Sequence, residues 1–297
     1  MLDFRSPNLD DKKWVKDLLL MSQFMGCEYT FGNMLIWSPI YNTKITRYKD
    51  FLITKSGDKN PSYCCPAGRG DIRSVISELI NDANQCGHPF RMFGLTAECV
   101  GKYKELFPND FIFEPYRDGF DYIYLLEELI NLNGKKYHSK RNHIAAFVKS
   151  NVWSYEVINE KNIEECIMMN NAWERDNREK NPEEIDNELK AINLAFKYYF
   201  DLDFTGGLIR VEGKPVAFTL GEKLNNETFC THIEKAYSEI RGAYPMINRE
   251  FAANSLTGYK YINREEDMGS EGLRKAKLSY NPVMLLEKYT AVCRGSI

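Results

Sequence analysis

The sequence predicts an α/β protein with mixed sheets, assembled from two similar modules in tandem. Three observations carry that reading. The element order helix, hairpin, helix, strand, helix, strand fills residues 1–134 and begins again near Val152. A meander of strands in the second half runs into a glycine turn and a helix start between Thr228 and Ala253. Ile185, Leu189, Ile192, Phe196 and Tyr199 fall at steps of four, three, four and three, the strongest helical periodicity in the chain, and read as core. A duplicated αβ module accounts for all three economically.

Composition sets the outer bounds. A chain of 297 residues accommodates two domains of ordinary size, and 43% hydrophobic with 27% charged residues suits a soluble globular protein. No apolar run approaches the roughly 18 residues of a membrane span. Met1-Leu2-Asp3-Phe4-Arg5 lacks the basic and then apolar pattern of a secretory signal, so a cytoplasmic location is expected. The eight cysteines form no CxxC pair and are expected to be reduced, mostly buried, small hydrophobes. Adjacent Cys64 and Cys65 point to opposite faces if extended, which makes them poor co-ligands, and no metal site is expected. A net charge of −3 argues against nucleic acid held by charge alone.

In chain order, Asn8 or Asp10 caps a helix over Asp11 to Ser22, and an aromatic-rich stretch follows from Cys27 to Tyr41. Tyr48 to Thr54 and Ser62 to Pro66 read as strands around the turn Ser56-Gly57-Asp58-Lys59-Asn60. Asp71 to Cys86 is a helix with Ile72, Val75, Ile76, Leu79 and Ile80 on one face and Gly87 just past its end. Phe90 to Leu95 is a strand, Thr96 caps a helix reaching Phe107, and Phe111 to Phe113 and Tyr122 to Leu125 are strands.

Residues 135–150 form a basic linker helix carrying Lys135, Lys136, His138, Lys140, Arg141 and His143, with Ile144 and Phe147 on its apolar side. The second module, residues 151–297, opens with a strand over Ser154 to Asn159 and a helix over Lys161 to Arg175. A charged connection spans Glu174 to Asn187, within which Pro182 starts the next helix. Strands follow over Thr205 to Val211, Pro215 to Glu222, and from Thr228 to Glu234. Arg241-Gly242-Ala243-Tyr244-Pro245 then leads into a helix. A strand feeding such a turn offers unpaired N–H groups and the positive end of a helix dipole, a geometry that binds anions. Lys260 to Asn263 is a strand, Ser270 to Ser279 a helix, and Val283 to Val292 a last strand.

This order resembles the GNAT acyltransferase superfamily. Three stretches sharpen the resemblance: Tyr137-His138-Ser139-Lys140-Arg141-Asn142; Glu234-Lys235-Ala236 with Gly242-Ala243-Tyr244-Pro245; and Asn263 to Gly269 with Gly272-Leu273-Arg274-Lys275-Ala276-Lys277. Together they resemble soluble relatives of the phosphatidylglycerol lysyltransferase C-terminal domain, tandem GNAT-like proteins distantly related to the Fem-type aminoacyltransferases. The turn departs from the usual acetyl-CoA signature at Glu239 and Tyr244. The resemblance implies two tandem GNAT-like domains with the active cleft in the second. It implies an acyl- or aminoacyltransferase that moves its group from a CoA thioester or an aminoacyl-tRNA to an amine or hydroxyl. No permanently bound cofactor is implied. The acceptor is left open among a small molecule, a peptide and a lipid headgroup, and the acceptor end of a tRNA is an expected partner.

Acyl transfer needs a base, donors for the developing oxyanion and an acid for the leaving group. Glu234, near the end of the central strand where such a cleft opens, is the expected base or amine binder. Tyr280, after the helix that precedes the last strand, is the expected acid, with Lys277 on the same helical face. Arg241, Gly242, Ala243 and Tyr244 are the expected donor cradle, and Arg274 and Lys277 are expected to reach donor phosphate. Lys140, Arg141 and His232 are candidate substrate contacts. By strand alternation His232 shares a face with Cys230 and Glu234. A non-catalytic ligand-binding protein that keeps the fold is the alternative reading.

Overall fold

The computed structural model describes residues 2–177 and 182–294. The first part of the chain forms α1 (Lys12–Ser22), α2 (Phe31–Tyr41), β1 (Lys44–Tyr48), β2 (Phe51–Ser56), β3 (Ser62–Cys64) and β4 (Ala67–Gly68). It continues with α3 (Ile72–Gln85), β5 (Arg91–Thr96), α4 (Ala97–Leu106), β6 (Phe111–Pro115), β7 (Asp121–Leu125) and α5 (Leu126–Asn131). The basic helix α6 (His138–Ser150) leads to β8 (Trp153–Val157), α7 (Ile163–Asn177) and α8 (Pro182–Lys197). Then come β9 (Thr205–Val211), β10 (Lys214–Lys223), β11 (Thr228–Ala236), α9 (Ala243–Ser255) and β12 (Tyr261–Asn263). The chain closes with α10 (Glu271–Leu278), β13 (Met284–Leu286) and β14 (Lys288–Cys293). The charged connection expected from Glu174 to Asn187 lies in part outside the described residues, which omit 178–181. Among the described residues no helix is long and apolar enough to cross a membrane.

Two seven-stranded mixed sheets result. The first runs β1-β2-β3-β5-β14-β6 with β4 on β2, the second β13-β7-β12-β11-β10-β9-β8. Each sheet has one parallel pair, β3 with β5 and β11 with β12, with antiparallel strands on both sides. The matching order supports a duplicated module, but the modules exchange strands. β7, from the first half of the chain, sits between β12 and β13 of the second sheet. β14, from the far end, sits between β5 and β6 of the first.

The single strand expected over Val283 to Val292 is therefore two, broken at Glu287, each in a different sheet. An extended sequence shows its propensity but not its partner. The strand expected over Tyr48 to Thr54 is also split, into β1 and β2, by a tight turn in which Lys49 takes a left-handed φ of 53°.

The exchange is pinned at its start points. Lys288 opens β14 and Asp121 opens β7, both buried; the Lys288 Nζ lies 2.7 Å from Asp121 Oδ1 and 2.7 Å from Oε2 of the partly buried Glu28. Asp121 also accepts from the Cys27 backbone N–H and the Asn263 side-chain amide, each at 2.8 Å. The apolar core follows the same logic. Ile53 and Tyr63 of the first sheet and Leu208, Phe218 and Leu220 of the second share one continuous cluster. The opposite face of the second sheet packs under α6 and α9 through Ile209, Ala217, Phe147, Met246 and Ile247.

One irregularity redirects side chains. Gly221 pairs with Thr231 but Leu220 pairs with Ile233, so His232 is an extra residue in β11. Such a β-bulge shifts the alternation of every residue beyond it. Cys230 and His232 stay on the face toward the first module, and Glu234 turns to the face under α9. Gly221 makes the bulge possible, because a Cβ there would lie 1.9 Å from the Cys230 carbonyl oxygen.

Candidate active cleft

The cleft starts where the parallel pair parts. Pairing of β11 with β12 ends at Cys230 with Asn263, yet β11 continues to Ala236. Arg264, just past β12, reaches across the opening, and its Nη2 donates to Glu234 Oε1 at 2.8 Å. The other Glu234 oxygen accepts from Asn248 Nδ2 of α9 at 3.3 Å. Tyr280, after α10, lies under both remaining cations. Its ring is 3.7 Å from Lys140 Nζ and 4.9 Å from the Arg264 guanidinium carbon. Tyr124 of β7 meets Tyr280 edge-on at 6.4 Å and holds the end of α10 through a 2.8 Å bond to the Lys277 carbonyl.

Burial tunes these groups. It pushes the Tyr280 phenol well above its ordinary range; Arg264 pulls against that shift and Glu234 adds to it, so the hydroxyl keeps its proton at neutral pH. Burial, followed by repulsion from Arg264, lowers Lys140 to about 8, with Glu234 opposing. Burial also works against the Arg264 charge, but Glu234 with Tyr124 and Tyr280 together outweigh it and the guanidinium is held more firmly protonated than usual. Two buried atoms here have no hydrogen-bond partner among the described residues: Arg264 Nη1, a donor, and Asn248 Oδ1, an acceptor. Buried polar atoms are rarely left unpaired, and these two have room for one acceptor and one donor.

From Lys140 the cleft opens into a groove of about 570 Å³ lined by Lys136, Ser139, Lys140, Lys275, Ser279 and Asn281. Lys136 is already paired with Glu128 at 2.8 Å, which leaves Lys140 and Lys275 as the groove's prominent charges. No side chain caps the N-terminus of α6 above it.

The structure thus brings Glu234, Tyr280 and Lys140 together, and adds Arg264 and Asn248, which the sequence reading missed. The other expected site residues are engaged elsewhere. Arg141 donates to the Leu132 and Gly134 carbonyls at the end of α5. Arg274 is held by Asp267 and Asp118, and Lys277 Nζ by the Arg264 and Glu266 carbonyls. Gly242 adopts φ 90°, and a Cβ on it would come 2.4 Å from the His143 carbonyl oxygen. Its turn is pressed onto α6 and Ala243 is buried, while Arg241 and Tyr244 are exposed at its rim.

His232 does not share a face with Glu234, because the bulge intervenes. Its Nδ1 is 2.7 Å from Glu265 and its Nε2 3.2 Å from Glu222. Ligand atoms of Cys230, His232 and Glu265 lie within 4.8 Å of one another, as do those of Cys27, Glu28 and Asp121. Each cluster already contains a basic group, His232 in one and Lys288 beside the other.

Comparison with known proteins fits this geometry. Residues 21–292 match the family described as phosphatidylglycerol lysyltransferase, C-terminal. A conserved protein of unknown function from Bacteroides thetaiotaomicron is 40% identical, with a TM-score of 0.95 over 99% of this chain and 100% of that one. The C-terminal domain of a putative lysylphosphatidylglycerol synthetase from Agrobacterium fabrum shares the fold, with a TM-score of 0.67 over 96% and 92% of the two chains, at 12% identity. An uncharacterised protein of Mycoplasmoides gallisepticum is 24% identical over 189 residues, 57% of this chain. That match spans only about half, 54%, of the curated relative's length.

Proposed function

The chain belongs to the family of phosphatidylglycerol lysyltransferase C-terminal domains, and from that membership we propose that it transfers an aminoacyl group to an amine or hydroxyl acceptor. The fold is the tandem GNAT-like one, and the reaction is placed in the cleft of its second module. The observation that carries the proposal is the pair of unpartnered atoms beside the Glu234–Arg264 bridge. An aminoacyl group presents what they lack. Its carbonyl oxygen accepts from Arg264 Nη1, and its α-ammonium donates to Asn248 Oδ1 and Glu234.

In this reading Arg264 and Lys140 stabilise the negative charge that develops on the carbonyl oxygen during attack. Tyr280, kept protonated by burial, donates to the leaving oxygen and recovers a proton from the one that the attacking amine or hydroxyl gives up. Glu234 holds the amine. The donor is a co-substrate and no resident cofactor takes part. An aminoacyl-tRNA acceptor end suits the groove, where Lys275 and the uncapped start of α6 receive its phosphates. A CoA thioester is disfavoured, because the Gly242 turn that would cradle its phosphates is packed onto α6. The acceptor is a small amine, a peptide or a lipid headgroup.

The test is calorimetric titration with an amide-linked aminoacyl-adenosine, a stable mimic of the charged tRNA end, and with acetyl-CoA. We expect the mimic to bind, and Glu234→Gln and Asn248→Leu each to weaken it at least about tenfold, about 1.4 kcal/mol. Binding of acetyl-CoA with no response to the mimic would overturn the aminoacyl reading. Unchanged affinity in both variants would remove the cleft from the proposal.

A further inference from the structure

A second reactive feature lies in the first module, away from the cleft. Cys65 directly follows β3 and is fixed by its backbone N–H, which donates to the Phe93 carbonyl at 3.1 Å. Its thiol, almost fully buried, points at Cys99 and donates to that sulfur across 3.6 Å. Cys99 is half-buried in the first turn of α4, where its N–H is capped by the Thr96 hydroxyl. Thiolates are favoured at a helix N-terminus. The Tyr103 hydroxyl, one turn further along α4, lies 3.4 Å from the Cys65 sulfur and keeps it beside the helix.

The geometry points to Cys99 and Cys65 as a peroxide-responsive pair, in which Cys99 is the attacking thiolate and Cys65 the resolving thiol. Cys99 sulfur attacks one oxygen of hydrogen peroxide, the O–O bond breaks, and the departing hydroxide takes a proton to become water. Cys99 is then a sulfenic acid. Cys65 sulfur attacks the Cys99 sulfur, the S–S bond forms, the S–O bond breaks, and the oxygen leaves as water with the Cys65 proton. Two thiols and one peroxide thus give one disulfide and two waters. The sulfurs must close from 3.6 Å to the roughly 2 Å of a disulfide.

Electrostatics agree with the division of labour. The Cys65 hydrogen bond, against burial and helped by Thr96, brings Cys99 down to about 6. Cys65 is pushed well up, first by its hydrogen bond to Cys99 and then by burial, the cause that leads for Cys64, Cys166 and Cys230. Accessible low-pKa thiols with a neighbouring resolving cysteine are the ones that sense oxidants.

The test treats the reduced full-length protein with one equivalent of hydrogen peroxide, alkylates the remaining thiols after denaturation, and sequences the peptides by mass spectrometry. We expect loss of two hydrogens and a Cys65–Cys99 cross-link that persists in Cys64→Ser. Cys65→Ser should leave Cys99 as a sulfenic acid trapped by dimedone, and Cys99→Ser should abolish the reaction, with circular dichroism confirming that each variant is folded. The oxidation rate should rise with pH and reach half its maximum near the Cys99 value of about 6. A cross-link to any other cysteine, over-oxidation of Cys99 with Cys65 still free, or complete alkylation of all eight cysteines would overturn the pairing.

Discussion

Lys140 shows how a single residue ties the cleft to the groove. Its ammonium rests on the Tyr280 ring and faces the groove, and its pKa of about 8 lies below the roughly 10.4 of a free lysine. Between those values the unfolded chain holds a proton that the folded protein has released. Stability is therefore expected to rise with pH across that window, and the rise should vanish in Lys140→Met. Denaturant midpoints measured from pH 7 to 10 check this. Affinity for an anionic nucleotide should move the other way, falling as pH passes 8 in the wild type and holding in Lys140→Arg.

Lys140, Glu234 and Tyr280, which the structure places together, were singled out from the sequence because each sits on a motif at a strand or helix end. Arg264 and Asn248 were not singled out, since what marks them is their contact with Glu234 across the chain. His232 was misplaced because period-two alternation fails at a bulge that only the β10 register reveals.

At the scale of elements, two glycines make the cleft possible. Gly221 lets β10 accept the bulge that turns Glu234 toward Arg264, and Gly242 lets α9 lie against α6. Gly221→Ala must move a backbone carbonyl, which sets its cost at the upper end of the about 1–3 kcal/mol typical of overpacking. Gly242→Ala combines its clash with the about 1–2 kcal/mol of a left-handed residue with a side chain. Urea titrations of both variants should show lowered midpoints with unchanged slopes. The helical stripe was readable in part, because helix periodicity is a local property: Ile192 and Phe196 of α8 and Tyr199 just past its end are buried, while Ile185 and Leu189, expected in the core, are only half-buried. Strand partnership is not local. Nothing in Val283 to Val292 announces that Leu286 and Lys288 belong to different sheets, since both stretches are simply extended.

For the whole molecule, the exchange of β7 and β14 makes each sheet depend on residues from the other half of the chain. Residues 1–134 and 135–297, the second keeping α6 and its core residues Ile144 and Phe147, should each fail to fold when produced separately, and produced together they should assemble. Size-exclusion chromatography and circular dichroism of the single and mixed fragments check this. Intact protein should unfold in one transition by calorimetry and by tryptophan fluorescence, because one core spans both sheets. The repeat of element order was visible in the sequence; the exchange that couples the repeats was not.

The same exchange sets a timetable for synthesis. The first sheet begins with Lys44, but the gap between β5 and β6 is filled only when Lys288 to Cys293 arrive. At roughly 5–20 residues per second, about 12–50 s separate the emergence of Lys44 from that of Lys288. From their own emergence until then, β5 and β6 lack the strand that pairs with both, and such bare edges invite foreign strands. Slowing its translation should for that reason lower its yield of soluble product.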